Sequence, residues 1–210
     1  MVLYHGSRSR VLEPEYGVGD VHRDFGSGFY TTPERELGME WAMSAYSKGG
    51  IGYLHTFTLD FKELKVLNLV EMDSLHWVAE LFYNRYWNKE DREAYKDIID
   101  AFVGKYKLDT KWYDVIVGYR ADDIHFIYAE DFVRGAIYRE TFEKVLRSSQ
   151  LGIQVCVKSR KAFSKLVRVG IPEEVLDSYS GGNSLYKVDK GNNSSVRKKE
   201  SIYHFIKESL

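Results

Sequence analysis

The chain has 210 residues, with 30 basic and 31 acidic side chains and a formal net charge of −1. That length is enough for one domain with its own core, and the near-zero charge does not call for a nucleic-acid or membrane partner. Its only cysteine, Cys156, excludes an intramolecular disulfide and is typical of a cytoplasmic protein. We predict no signal peptide, because no apolar run follows a basic start, and no membrane span.

The first part of the chain predicts strand, loop, strand and helix. An apolar run at 2–4 stops at His5-Gly6-Ser7, which is typical of a strand entering a turn. Residues 12–28 are rich in glycine and charge and predict a loose loop. The GFYTT run at 28–32 predicts a strand. Thr32 followed by Pro33 predicts a helix start, with the helix ending near Tyr46.

Predicted strands and helices alternate less regularly in the rest of the domain. Apolar patterning predicts strands at 52–60, 113–118 and 153–158, and helices at 72–87, 91–103, 122–147 with a break near Gly135, and 159–166. We therefore predict an α+β domain over residues 1–179. The segment 180–210 is polar and rich in glycine and asparagine, so it predicts a flexible tail that ends in one or two helical turns.

Three short motifs are distant in sequence and are weak when taken singly. They are YHGSR at 4–8, FGSGFYTT at 25–32 with Trp41 beyond it, and LGIQVCVK at 151–158. A His-Gly pair is common in turns, and a glutamine on a strand is usually surface. Their order and spacing together are the informative signal.

Together these motifs resemble the His, Tyr and Glu signature of poly- and mono-ADP-ribosyltransferases. In that family a second aromatic follows the tyrosine by eleven residues, and Trp41 stands at that distance from Tyr30. The longer pattern adds Trp77, Arg85 and the segments 113–123 and 154–163. It resembles a bacterial family catalogued as domain of unknown function 3990, over residues 2–168. The resemblance implies split antiparallel sheets, an NAD cleft and helical insertions.

The resemblance also implies roles for individual residues, with NAD as the substrate. The backbone of Gly6 would clamp the carboxamide, since glycine allows close approach. Tyr30 and Trp41 would sandwich the nicotinamide ring, which is an aromatic–cation arrangement. A ring nitrogen of His5 would hold a ribose hydroxyl. The implied binding set is His5, Gly6, Ser7, Phe29, Tyr30 and Trp41.

The implied catalytic set is His5, Tyr30 and Gln154, and it departs from the family at its third member. Gln154 stands where the family has its glutamate. An amide can bond a ribose hydroxyl but cannot act as a general base. This departure disfavours chain elongation and favours single transfer, NAD hydrolysis or binding alone. Gly38 also departs, since it stands where the family often has a carboxamide-contacting serine.

Each assignment has a structural alternative that the sequence leaves open. His5, Tyr30 and Trp41 could be core side chains, and Gln154 could be a solvated strand residue whose neighbours Ile153 and Val155 face the core. Other polar residues have ordinary explanations as helix caps, helix surface or solvated tail: Asp122 and Asp123, Arg85, and Arg197 to Lys199. The alternatives are an acceptor-site role for the two aspartates, a phosphate contact or carboxylate pair for Arg85, and a nucleic-acid contact for the tail cluster. The histidines show no metal-ligand spacing, so we predict no metal site.

The leading hypothesis is an NAD-dependent mono-ADP-ribosyltransferase that modifies a macromolecular acceptor. The family resemblance suggests a toxin or anti-phage effector, held in check by a neutralising partner protein. An NAD glycohydrolase, a catalytically silent NAD or ADP-ribose binding module and a purely structural domain are the alternatives. Fold likeness alone does not decide among them.

Overall fold

A computed structural model describes residues 1–44, 50–85, 92–121, 123–148 and 152–176. Within these ranges the elements are, in order, β1 (Val2–Ser7), β2 (Phe29–Thr31), α1 (Arg35–Ser44), β3 (Ile51–Leu59), β4 (Val66–Asn68), α2 (Ser74–Arg85), α3 (Arg92–Tyr106), a 3-10 turn (Thr110–Trp112), β5 (Val115–Tyr119), α4 (Asp123–Val133), α5 (Arg139–Ser148), β6 (Ile153–Val157), α6 (Arg160–Phe163) and β7 (Leu166–Leu176). No helix among the described residues is long and apolar enough to cross a membrane.

The strands form two separate sheets, which confirms the α+β class. One sheet has the order β1-β3-β7 and is antiparallel throughout; the other has the order β2-β6-β5-β4. The expectation of purely antiparallel sheets was wrong at one pair, because β4 pairs parallel with β5. A parallel pair needs a long crossover, and α2 and α3 lie between these two strands in the chain.

The two sheets meet where β1 approaches the end of β2. Tyr4 and Thr32 exchange backbone hydrogen bonds of 2.7 and 2.9 Å across this junction. An apolar layer between the sheets includes Leu3 and Leu59 from one and Val155 and Val157 from the other. His5 lies two residues after Leu3 on β1, so its side chain is on the same face and is directed at the junction between the sheets.

The opposite face of each sheet carries helices. A larger core, with Trp77, Phe102 and Phe132 fully buried, lies between β5, β6 and the helices α2 to α5. Helix α1 covers β1 and β3 through small residues. A side chain added at Gly52 would meet the backbone of Ala42 at 2.4 Å, so helix and strand approach at backbone distance.

The strongly patterned elements were predicted correctly, with differences at their ends. The turn predicted at His5-Gly6-Ser7 was wrong, because β1 continues through these residues and pairs them with β3. The Thr32 hydroxyl accepts from the Glu34 N–H at 3.0 Å, as a cap does, although the helix itself begins at Arg35. The break near Gly135 is confirmed, since this glycine has φ +76° between α4 and α5. The tail at 180–210 and the predicted helix end near Tyr46 lie outside the described residues.

Two strands were missed. The segment predicted as helix to residue 166 ends at Phe163, and β7 follows it. Gly170, Pro172 and two glutamates obscure the strand pattern of β7. It tolerates them because it is an edge strand whose register shifts opposite Leu54 to Thr56, and proline is allowed at such bulges. Strand β4 spans only Val66–Asn68, too short to show a period.

Candidate functional site

A cleft of about 850 Å³ opens beside the junction of the two sheets. It is bounded by β1, β2, the start of β6, the loop after β5, α1, α2 and the chain before β2. Its lining combines aromatic, glycine and charged residues: His5, Gly6, Arg8, Asp20, His22, Arg23, Asp24, Gly28, Phe29, Tyr30, Trp41, Arg85, Arg120, Ala121 and Gln154. Six of the seven residues singled out from the sequence lie in this one cleft.

The seventh, Ser7, does not line the cleft. Its hydroxyl accepts a hydrogen bond of 3.0 Å from the backbone N–H of Ser9, in an exposed turn after β1. The structure thus does not bring Ser7 together with the other members of the predicted binding set. A hydroxyl that accepts from the backbone donor two residues later commonly closes such a turn, which explains a serine here.

His5 is fixed by a backbone carbonyl and held neutral. Its Nδ1 lies 2.6 Å from the Tyr30 carbonyl oxygen, and its ring packs on that of Phe29 at 4.6 Å between centroids. Burial lowers the pKa of His5 to about 4. Because a carbonyl only accepts, Nδ1 carries the proton, and Nε2 of the neutral ring is left as an acceptor for a hydroxyl.

Tyr30 anchors the loop that precedes its own strand. Its hydroxyl donates to the Gly26 carbonyl at 2.7 Å and accepts from the Phe25 N–H at 2.9 Å. Burial raises the pKa of Tyr30 well above its ordinary value. Gly26 has φ +72°, a conformation that favours glycine in this tight turn. Tyr30 thus lines the cleft, and its hydroxyl holds the loop.

Gln154 is buried, so the alternative of a solvated strand residue was wrong. Its side chain is 4% exposed, and its neighbour Val155 lies in the layer between the sheets. The Gln154 Nε2 donates to the Asp24 carboxylate at 2.5 Å and to the Tyr119 carbonyl at 3.3 Å. The same carbonyl accepts from the indole of Trp77 at 2.9 Å, which places Trp77 behind the site.

Asp24 is the central residue that the sequence did not reveal. Its carboxylate accepts from Arg85 Nη1 at 3.0 Å, from the Ala121 N–H at 3.1 Å and from Gln154. It is only 8% exposed. Asp24 lies in the segment predicted as a loose loop, where no periodicity distinguishes a buried carboxylate from a solvated one.

Of the alternatives for Arg85, the carboxylate pair is the one that the structure shows, and the favoured helix-surface position was wrong. Arg85 lies at the end of α2 with its guanidinium against Asp24 and 4.9 Å from the ring centre of Phe126, and it donates to the Ala121 carbonyl at 2.8 Å. A second cleft arginine, Arg120, pairs with Glu40 of α1 at 2.8 Å. The cleft is therefore lined by guanidinium groups held in place by carboxylates.

The glycines at 6 and 38 have a packing reason. A Cβ added at Gly6 would lie 2.1 Å from the Ala42 backbone nitrogen and 2.3 Å from the Gly38 carbonyl oxygen. A Cβ at Gly38 would lie 2.8 Å from the side chains of Tyr4 and Leu54. A side chain at position 38 would thus point from α1 into its contact with β1 and β3. This contact brings Trp41, one turn further along α1, to the rim of the cleft.

The remaining candidates divide between described and undescribed residues. Asp123 begins α4, whereas Asp122 and the basic cluster at 197–199 lie outside the described residues. Cys156 is fully buried, and burial raises the pKa of its thiol to about 11. No group of three or more His, Cys, Asp or Glu side chains among the described residues is arranged to hold a metal ion.

Comparison with known proteins identifies a family without a known activity. The family described as "Protein of unknown function (DUF3990)" matches residues 1–167, which cover β1 to the start of β7. No curated protein and no solved structure matches the chain.

Proposed function

Because the chain belongs to the DUF3990 family, whose activity is unknown, we propose its function from its cleft: it is an NAD-dependent mono-ADP-ribosyltransferase. The observation that carries the proposal is convergence. His5, Tyr30, Trp41 and Gln154 come from four different elements and are up to 149 positions apart (154 − 5), yet they line one cleft. Core side chains would have no need to share an open surface.

The chemistry of these groups suits the nicotinamide half of NAD. Tyr30 and Trp41 offer aromatic faces to a flat cationic ring. The Nε2 of His5 is an acceptor for a ribose hydroxyl, and the tautomer that exposes it is set by the Tyr30 carbonyl. The Gln154 Oε1 is a second acceptor, because both hydrogens of its amide are used elsewhere.

The charge of the cleft suits a diphosphate. Four arginines and two aspartates line it, and three of the arginines are oriented by the carboxylates of Asp20, Asp24 and Glu40. The arginines are Arg8, Arg23, Arg85 and Arg120. Guanidinium groups bind phosphate oxygens bidentately, so this side of the cleft is where we expect the diphosphate.

In the proposed reaction the bond between ribose C1′ and the nicotinamide nitrogen breaks, and its electron pair leaves with neutral nicotinamide. The acceptor nucleophile forms the new bond to C1′ and loses its proton to solvent or to a basic group of the acceptor. Gln154 cannot take that proton, since an amide is not a base at neutral pH. This favours an acceptor that is already nucleophilic and transfer of a single ADP-ribose. The acceptor and a neutralising partner protein remain predictions from the resemblance.

A binding module without catalysis is the second candidate, and the neutral Gln154 is the observation that favours it. A site can hold NAD or ADP-ribose through the same acceptors and arginines without stabilising the positive charge that develops on the ribose. The two candidates share a ligand and differ in whether nicotinamide is released.

The deciding experiment is nicotinamide release from NAD by the purified full chain, with and without cell lysate. We expect release that requires lysate and that is lost in Tyr30→Ala and Trp41→Ala. Trp112→Ala is the matched control, because Trp112 is 65% exposed and does not line the cleft. Absence of release while NAD still raises the melting temperature would favour the binding module, since a ligand of the folded state stabilises it. If NAD neither releases nicotinamide nor raises the melting temperature, both candidates are contradicted.

A further inference from the structure

The loop that carries Asp24 is held through its backbone as well as through the Asp24 carboxylate. Its main-chain carbonyl accepts from the Asn84 amide at 3.2 Å, and the next carbonyl, of Phe25, accepts from Lys158 Nζ at 2.5 Å. The Phe25 ring is buried over Gly118, where an added Cβ would meet it at 2.5 Å. A loop aspartate held this firmly, with three donors on its side chain, is not a solvated surface group.

The orientation of the Gln154 amide follows from what surrounds it. The Asp24 carboxylate and the Tyr119 carbonyl can only accept, so the Gln154 atom that faces both must be the NH2 group. Both of its hydrogens are then used, and Oε1 is the only free atom of the amide. No donor in the described part of the chain bonds to Oε1, and Gln154 lines the cleft.

We propose that Asp24 is the positioning residue of this cleft, fixing the Gln154 amide so that Oε1 faces the ribose of the bound dinucleotide. The inference rests on the proposed function and deepens it. The pair divides the work of one carboxylate between two residues: Asp24 supplies the negative charge and Gln154 supplies the acceptor. An amide at position 154 is then required because it can donate to the Asp24 carboxylate, which an ionised glutamate could not do.

The proposal makes a specific statement about the variant Gln154→Glu. Two carboxylates would then face each other at hydrogen-bond distance, and like charges so close cannot both ionise. With one proton between them, the introduced carboxylic acid donates to Asp24 as the amide does, and its other oxygen faces the cleft. At higher pH that proton is lost and the arrangement fails. The apparent pKa belongs to the pair and lies above that of an ordinary glutamate.

The other charged or titratable groups that face the pair do not imitate this behaviour. Arg85 on α2 and Lys158, just after β6, are the basic side chains here, and both are unchanged in every variant. Burial raises the pKa of Tyr30 and of Cys156, so both stay neutral. The cleft histidines His5 and His22 are unchanged in every variant, and wild type measured across the same pH series accounts for them.

The test measures nicotinamide release between pH 5.5 and 8.5 for wild type, Asp24→Asn, Gln154→Glu and the double variant. We expect Asp24→Asn to lower kcat about 100-fold, the cost of misplacing one catalytic contact, with a smaller change in KM for NAD. Gln154→Glu should lose about tenfold in kcat per pH unit above the pKa of the pair. The double variant should not show this pH dependence, because the like charge is gone.

Controls keep the outcomes separate. Asp97→Asn, an exposed aspartate on α3, should match wild type. A flat pH profile for Gln154→Glu, or full kcat in a folded Asp24→Asn, overturns the proposal. If Asp24→Asn fails to fold, the profile of Gln154→Glu alone decides, since it keeps Asp24. No release by wild type refutes the proposed function itself, whereas release by wild type with a flat Gln154→Glu profile refutes only the role of Asp24.

Discussion

Replacing Gly6 with alanine tests why a glycine stands in the His-Gly motif. The structure points a Cβ at position 6 into α1, where it would lie 2.1, 2.3 and 2.7 Å from backbone atoms of Ala42, Gly38 and Trp41. Ordinary contacts to a methyl carbon are about 3.5–4.0 Å. Backbone atoms of a helix cannot swing away as a flexible side chain can, so α1 as a whole must move off β1.

The size of the effect follows from this overlap. Overpacking a well-packed core by one methyl group costs about 1–3 kcal/mol. Three backbone contacts of this severity put Gly6→Ala at the upper end, about 3 kcal/mol in the free energy of unfolding. For a domain of this size each kcal/mol shifts the melting temperature by about 2–4 °C, so we expect a fall of about 6–12 °C.

The assay is thermal and urea unfolding of the apo protein, with Gly104→Ala as the matched control. Gly104 lies in α3 with no atom within 4 Å of an added Cβ. Alanine there removes the helix penalty of glycine and should stabilise by about 0.5–1 kcal/mol. The same substitution should thus lower the free energy of unfolding at position 6 and raise it at position 104. This difference would exclude a general effect of replacing glycine as the explanation.

A Gly6→Ala protein that melts within about 1 °C of wild type would refute the reasoning. If such a protein had also lost NAD binding, Gly6 would be a glycine for the sake of the ligand, as the family resemblance implied. If it unfolds easily without ligand, the glycine is required by the helix, and any loss of binding follows from displacement of Trp41.

Three further predictions concern single groups of the site. Because the pKa of His5 is lowered from 6.5 to about 4, the unfolded chain takes up a proton before the folded chain does as pH falls. We therefore expect the free energy of unfolding to drop by about 3 kcal/mol between pH 6.5 and 4, as measured by urea unfolding. His5→Asn should show a smaller drop. Tyr30→Phe keeps the ring but leaves the Phe25 N–H and the Gly26 carbonyl unpaired, so we expect a loss of about 1–3 kcal/mol by the same measurement. The buried thiol of Cys156, with its pKa raised to about 11, should resist iodoacetamide at pH 8 and react only in denaturant, as followed by mass spectrometry; rapid native labelling would contradict its burial.

The sequence predicted well wherever a side chain's role is local. The strand periods, the Thr32 cap and the glycine break at 135 depend on neighbours a few residues away. The candidate residues of the cleft could be named for a different reason, since their types and order matched a family pattern. Their convergence could not be predicted from composition or period, because it depends on how two sheets meet.

Asp24, Arg85 and β7 show what remained out of reach. Asp24 accepts hydrogen bonds from donors on α2, on the loop after β5 and on β6, all of them distant in sequence. For Arg85 the sequence allowed a carboxylate pair as one alternative, but nothing in it pointed to Asp24 as the partner. The strand β7 contains proline and glycine that normally argue against a strand, and only its position at a sheet edge makes them tolerable. In each case the deciding partner is distant in sequence.

The arrangement also changes how a loss of activity at Tyr30 should be interpreted. Tyr30 holds Phe25 and Gly26 through its hydroxyl, and these residues directly follow Asp24 in the chain. Tyr30→Ala therefore removes an aromatic face from the cleft and releases the loop that carries Asp24. Tyr30→Phe separates the two effects, since the ring remains and only the hydroxyl is lost. If ring stacking were the sole role of Tyr30, the phenylalanine variant would both bind NAD and release nicotinamide as wild type does. A variant that binds NAD normally but releases nicotinamide slowly would instead place the defect at Asp24 and Gln154, behind the ring.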